Sequence, residues 1–182
     1  NQNNTKTSTK LIGYLIKHKH WSPFEMVNMC VQITTTRSVA AQILRHRSFS
    51  FQEFSQRYAK VSLPPYTPDI RRQDSKNRQN SIDDVSEFNK QYFQLKAKQV
   101  FDLSTNLYNE MIDSGIAKEC AREVLPLATP TTLYMHGNLR SWLTYADLRT
   151  DNGTQLEHKM IADQVKEMIG VYFPQCYAGM WS

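Results

Sequence analysis

The chain's 182 residues carry 22 Lys and Arg against 17 Asp and Glu, a formal net charge of +5, and 40% of them are hydrophobic. This length supports one sizeable core and is short for two, so a single domain over 1–182 is expected. No run of about 18 apolar residues and no apolar leader is present, which argues against a membrane span or a secretory signal and points to the cytoplasm.

The positive balance implies anionic partners, either phosphorylated small molecules or nucleic acid. Cys30, Cys120 and Cys176 are odd in number and widely spaced. They are expected as buried thiols rather than disulfides or zinc ligands.

In chain order, Asn1 to Thr9 is a polar Asn/Thr-rich stretch of loop character, and because the chain starts without Met, further structure is expected upstream. Leu11 to Lys17 has helical apolar spacing, which the segment to Glu25 breaks at Pro23. Val27, Met29, Val31 and Ile33 alternate with polar residues as a half-buried strand does. The cluster Thr34 to Thr36 is placed to cap a helix carrying Ser38, Gln42 and Arg45 on one face and Val39 and Ile43 on another. Tyr58 to Ser81, with Pro64, Pro65 and Pro68 followed by Arg71, Arg72, Lys76 and Arg78, predicts a mobile loop over 59–82.

Phe88, Tyr92, Leu95, Leu103, Leu107 and Met111 predict a long amphipathic helix over 83–113 with Gly115 as its C-terminal cap. A shorter helix is expected from Ala117 to Leu125 and a second strand from Thr131 to His136. Then come a helix from Asn138 to Leu148, with Leu139, Trp142, Leu143 and Ala146 inward, and a last helix from Leu156 to Phe173 ended by Pro174. The order predicts an α+β fold, a small sheet covered by helices.

The densest chemistry lies between Arg45 and Tyr58, where RHRSFSFQEFSQRY gathers arginines, a histidine, a carboxylate and hydroxyls. Arginine's planar donors fit phosphate or the edge of a pyrimidine. If the segment is extended after Ser50, Glu53, Ser55 and Arg57 share one face while Phe54 and Tyr58 pack behind.

The pattern RHRxxSxxxxSxR, complete here from Arg45 to Arg57, resembles the signature of the flavin-dependent thymidylate synthases. The similarity extends over roughly Leu11 to Phe173, because the blocks from Gly115 to Pro126 and from Asn138 to Arg149 also look like the family's. Members usually carry a further strand and helix, with a flavin-contacting Ser, before the point at which this chain begins. The family's fold agrees with the predicted α+β layout. The resemblance implies reductive methylation of dUMP to dTMP, with carbon from 5,10-methylenetetrahydrofolate and hydride from FADH2 formed with NADPH.

By resemblance, Ser22, Arg45, His46, Arg47, Glu53, Asn138, Arg140 and Thr144 bind FAD. Gln42, Arg45, Glu53, Phe54, Ser55, Gln56, Arg57, Arg122 and Arg149 bind dUMP. Arg149 is the catalytic residue: a cation beside the pyrimidine favours its ionised form and raises nucleophilicity at C5. Asn138 and Arg149 are expected on one side of a helix, with Arg140 and Thr144 one turn apart on another. Thr144 stands where many members have Asn, and Gly153 where many have His. The family forms homotetramers with sites shared between subunits, and one small domain has little room for FAD, dUMP and folate.

No covalent nucleophile is expected. Ser55 lacks a dedicated base, and Pro174 and Cys176 are separated by Gln175, so the dipeptide of the flavin-independent thymidylate synthases is absent. His18, His20, His46, His136 and His158 show no metal-ligand spacing, so no metal is expected. The alternative is a nucleic-acid-binding module, motivated by the charge and by Phe49, Phe51 and Tyr58 among arginines. Its arginines would spread along a stripe, whereas here they concentrate in blocks joined by Glu53 and Asp147. No nucleic-acid or membrane partner is therefore expected.

Overall fold

A computed structural model describes residues 5–61 and 66–181; Asn1 to Asn4, and the prolines Pro64 and Pro65 of the predicted loop, lie outside them. The fold is α+β. Helix α1 (Thr5–Lys17) and the short α2 (Ser22–Glu25) precede strand β1 (Asn28–Thr36), helix α3 (Arg37–Ile43) and strand β2 (Ser50–Glu53). The short strands β3 (Arg72–Gln73) and β4 (Ser81–Ile82) lead to α4 (Glu87–Asp113), α5 (Lys118–Ala121) and a 3-10 turn (Arg122–Val124). Strand β5 (Pro130–Asn138) and helices α6 (Leu139–Arg149), α7 (Leu156–Tyr172) and α8 (Pro174–Trp181) complete it.

The main sheet has the order β1-β5-β2. The central strand alternates strictly, with Thr131, Leu133, Met135 and Gly137 buried and Tyr134 and His136 exposed, the period of a strand with one face against a core. The chain falls into two compact units, one built from residues up to Val31, Arg47–Ser50 and Met135 onward, the other from Gln32–His46 and Phe51–Tyr134.

In the first unit α1 packs on α8, α8 on α7, and α7 on α6. Its core is Trp142, Leu143, Tyr145, Ala146, Ala162, Val165 and Ile169, all at most 1% exposed. Gly13 and Gly179 let α1 and α8 approach closely, since a Cβ on Gly179 would lie 3.1 Å from the Gly13 Cα. The predicted inward residues of α6 are thus buried as expected. Pro174 does end α7, but it also opens α8, which the sequence reading missed; a proline's fixed φ suits the first turn of a helix as well as the end of one. Pro23 likewise lies in the first turn of α2 rather than only breaking α1, and Thr5 to Thr9, expected as loop, belong to α1.

In the second unit Thr36 caps α3, its hydroxyl accepting from the Val39 N–H at 3.4 Å. The cap of α4 is a full Schellman motif: Gly115, at φ +81°, donates to the Ile112 carbonyl and Ile116 to that of Met111. The predicted apolar stripe of α4 is not buried, however; Phe101 and Tyr108 are, while Phe88, Tyr92, Leu95, Leu103 and Leu107 are exposed. Within the predicted 59–82 loop, β3 and β4 pair antiparallel, Arg72 opposite Ile82, and Asp74 ties the turn by accepting from the Lys76 and Asn77 amides and from Asn80 Nδ2. Cys176 is buried and its thiol pushed up by desolvation, but Cys30 and Cys120, expected as buried, are exposed; Cys120 stands among the charged Lys118, Glu119 and Arg122.

Among the described residues no helix is long and apolar enough to cross a membrane, and no group of three or more His, Cys, Asp or Glu could hold a metal ion. His158, expected at a surface or site, is fully buried with Nε2 3.1 Å from the Tyr145 hydroxyl.

Candidate functional site

The signature segment is anchored from within. Phe49 is buried against α6, its ring 4.7 Å from Trp142 and 5.9 Å from Tyr145, centroid to centroid. Gly137 makes this possible, because a Cβ there would stand 2.5 Å from Phe49 Cδ1. Burial of one such ring stabilises by about 1.5–3 kcal/mol, and Arg47 and Ser48, which precede it, lie at the surface. Arg45 and Arg47 are exposed and form no ion pair with a described residue. Arg45 lies past the end of α3, so it does not continue the Ser38 and Gln42 face as expected. Gln42 and His46 are half-buried.

After β2 the chain does not stay extended. Ser55 accepts from the Tyr58 and Ala59 amides, a turn that takes Arg57 off the period-two face. Phe54 and Tyr58, expected to pack behind, are 45% and 78% exposed, and the residue that turns inward is Gln56, at 5%. Arg57 pairs through Nη2 and Nε with Glu119 Oε2, at 2.9 and 3.1 Å.

Glu53, Phe54, Ser55, Gln56 and Arg122 line one cleft of about 210 Å³ with Arg37, a residue the sequence reading did not single out. Arg37 donates from Nη1 to Gln56 Oε1 at 3.2 Å, and Glu53 Oε1 accepts from the Thr131 hydroxyl at 2.9 Å. Gln56 Nε2 and Arg122 Nε are buried without a hydrogen-bond partner. Glu123 Oε1 does lie 3.3 Å from Arg122 Nε. This ion-pair distance lacks hydrogen-bond geometry, so the donor remains unspent. A buried donor left unsatisfied costs about 1–3 kcal/mol, and a bound acceptor restores it. The cleft therefore suits an oxyanion. Its signal in the sequence was the signature itself; Arg37 gave none, because only the fold brings the start of α3 to the end of β2.

In the first unit, α1 ends in a second Schellman motif, with His20 donating to the Leu15 carbonyl and Lys19 to that of Ile16. Lys19 occupies the left-handed position usually given to glycine, at φ 57°. That turn sets His20, Trp21 and Ser22 along an open cleft of about 760 Å³ shared with Leu15, Lys19, Pro23, Glu25 and Arg140. Arg140 is ion-paired with Glu25 and lies 5.9 Å over the Trp21 ring. Ser22 is the first residue of α2, exposed, with a hydroxyl unspent on any cap.

Asn138 is not inside the helix, as expected, but is the N-cap of α6: its Oδ1 accepts from the Ser141 N–H at 2.9 Å, leaving the Nδ2 donors available. The Thr144 hydroxyl donates to the Arg140 carbonyl at 3.0 Å, so toward a ligand it keeps only acceptor lone pairs. Arg149 closes α6, half-buried, where the negative end of the helix dipole favours a cation. Burial pushes the Tyr145 hydroxyl up, and the Arg149 charge one turn away acts against that shift.

The family profile described as "Thymidylate synthase complementing protein" matches residues 1–175. The chain is 51% identical over 174 residues to the probable flavin-dependent thymidylate synthase of Paramecium bursaria Chlorella virus 1, covering 96% of this chain and 81% of that protein. It is 50% identical over 172 residues to the flavin-dependent thymidylate synthase of Synechocystis sp. (strain PCC 6803), with 94% and 80% covered. Among solved structures it is similar to the UMP/dUMP methylase PolB from Streptomyces cacaoi bound with 5-Br UMP. The TM-score is 0.88 at 31% identity over 96% of this chain and 83% of that one.

Proposed function

We propose, for a chain that belongs to the family of the flavin-dependent thymidylate synthases and is thereby an enzyme of the methyltransferase class, that it converts dUMP to dTMP. The carbon would come from 5,10-methylenetetrahydrofolate and the hydride from FADH2 regenerated with NADPH. The observation that carries this reading is the small cleft in which Glu53, Phe54, Ser55, Gln56 and Arg122, from segments far apart in sequence, come together around unspent buried donors. A nucleotide phosphate is the ligand such donors fit.

Arg57 joins the phosphate in this reading by giving up Glu119. Both partners are 53% exposed, and an exposed pair is worth under about 1 kcal/mol, less than a charge-assisted bond to a phosphate dianion returns. Gln42 and Arg45 complete the nucleotide contacts. Arg149 stabilises the ionised pyrimidine, so that C5 attacks as a carbanion equivalent without a covalent bond to any side chain.

The flavin is supported by Ser22 and Arg140, which share one aromatic-lined cleft, and by the Asn138 amide donors left by its cap. FAD, once reduced, supplies the hydride; Ser22, Arg45, His46, Arg47, Glu53, Asn138 and Arg140 are proposed to hold it. Thr144 contributes least, its proton being spent on Arg140. The exposed apolar stripe of α4 supports a homotetramer with shared sites, since so many large side chains on one helix are stable in water only when covered. The substrates are water-soluble, and the cytoplasm is the proposed compartment.

The decisive test is an anaerobic single turnover with reduced flavin, methylenetetrahydrofolate and dUMP. dTMP is the expected product. A colourless protein that makes none, yet shifts an oligonucleotide with steep salt dependence, would establish the nucleic-acid alternative instead.

A further inference from the structure

The cleft of the second unit contains a cation that neither the signature nor the neighbouring sequence blocks name. Arg37 is the first residue of α3, fixed by the Thr36 cap and by its own N–H, which donates to the Thr129 carbonyl at 3.0 Å. Its side chain lines the cleft and reaches Gln56 Oε1 at 3.2 Å. A guanidinium has donors and no acceptor, so the amide atom that faces it must be oxygen. The orientation of Gln56 is therefore dictated by Arg37. Nε2 is turned to the other side, where it is buried without a partner on a residue only 5% exposed. Arg122 Nε, on the same cleft, is buried without a hydrogen bond, its charged contact being Glu123 Oε1 at 3.3 Å. The lining carboxylate, Glu53, has one oxygen tied to Thr131.

We propose that Arg37 is a positioning residue for phosphate recognition: by holding Gln56 Oε1 it aims the Gln56 Nε2 donors at the phosphate of the bound nucleotide, beside Arg122. Without the arginine the amide is free to rotate, and the wrong face presents an oxygen lone pair to an anion. The identity of the nucleotide rests on the functional reading above, but the existence of an oxyanion site does not.

The test is titration of the flavin-loaded full chain with dUMP and, separately, with inorganic phosphate. It uses wild type, Arg37→Met, Arg37→Lys, Gln56→Leu and the Arg37→Met/Gln56→Leu pair. Loss of a charge-assisted donor should weaken dUMP and phosphate roughly ten-fold in Arg37→Met and in Gln56→Leu. The double variant should be weaker than either single by no more than about two-fold, because the arginine acts through the glutamine. Arg37→Lys, still a donor-only cation, should recover part of the loss, which a merely structural defect would not show. Flavin content and thermal midpoint report whether each variant is folded.

Unchanged affinity in Arg37→Met, or losses that multiply in the double variant, overturn the proposal. If wild type binds phosphate but not dUMP, the nucleotide reading fails and the phosphate titrations decide the role of Arg37. If it binds neither, both fail.

Discussion

Arg140 and Arg149 stand on one helix yet are proposed for different ligands, and their surroundings differ accordingly. Arg140 is exposed in a cleft beside Trp21 and Ser22, whereas Arg149 is half-buried at the C-terminus of α6 next to Tyr145. Arg149→Ala is expected to cut the single-turnover rate by roughly 100-fold or more while flavin stays bound, the scale of losing one transition-state donor. Arg149→Lys should rescue little, since an ammonium lacks the planar donor pair. Arg140→Ala should lose flavin and affect dUMP affinity less. Flavin absorbance and rapid-quench rates on the three variants check this, and flavin loss in Arg149→Ala with near-normal turnover would reverse the assignment. Asn138 allows a cleaner separation, because its oxygen caps α6 and its amide nitrogen is the part offered to flavin. Asn138→Asp should keep the thermal midpoint and lose flavin, whereas Asn138→Ala should lose flavin and about 1 kcal/mol of stability as well. Equal destabilisation of both variants would contradict the division of labour.

At the scale of elements, the β3-β4 hairpin is held by charge more than by apolar packing. Arg72 chelates Asp84, raising its own proton affinity and lowering that of the carboxylate, and Asp74 is held below the usual carboxylate range chiefly by the Lys76 amide, then by Asn80 and the Asn77 amide. A carboxylate whose folded value is depressed stabilises above its unfolded value, near 3.9, and that contribution fades as pH falls through the folded value. The Lys76 and Asn77 amide resonances should therefore titrate with a midpoint below about 3.9, and the transition should vanish in Asp74→Asn. A midpoint at or above the ordinary value would show that Asp74 is not holding the turn. The sequence predicts a mobile loop over 59–82 and gives no sign of the hairpin, because its strands are two residues each and its order comes from side-chain bonds with no periodicity. Gly115, by contrast, was legible as the cap of α4 because only glycine takes φ +81° without strain.

At the scale of the molecule, α4 is the element the isolated chain leaves unfinished. Its apolar spacing is strong in the sequence, yet Phe88 is 77% and Leu103 72% exposed. Leu103→Glu combined with Leu95→Glu should shift the assembly toward smaller species by light scattering without lowering helix content, and flavin occupancy should fall with it if sites are shared between subunits. A fully assembled double variant would place the interface elsewhere. The sequence alone determined the helix periods, the alternating strands, the Thr36 cap and the signature chemistry, because each is written in residues close together along the chain. The tertiary structure alone decided that Gln56 turns inward while Phe54 and Tyr58 face water, and that Arg37 meets Gln56. It also decided that Gly137 makes room for Phe49. Those outcomes depend on which distant segment arrives opposite each residue, and local propensity holds no record of that.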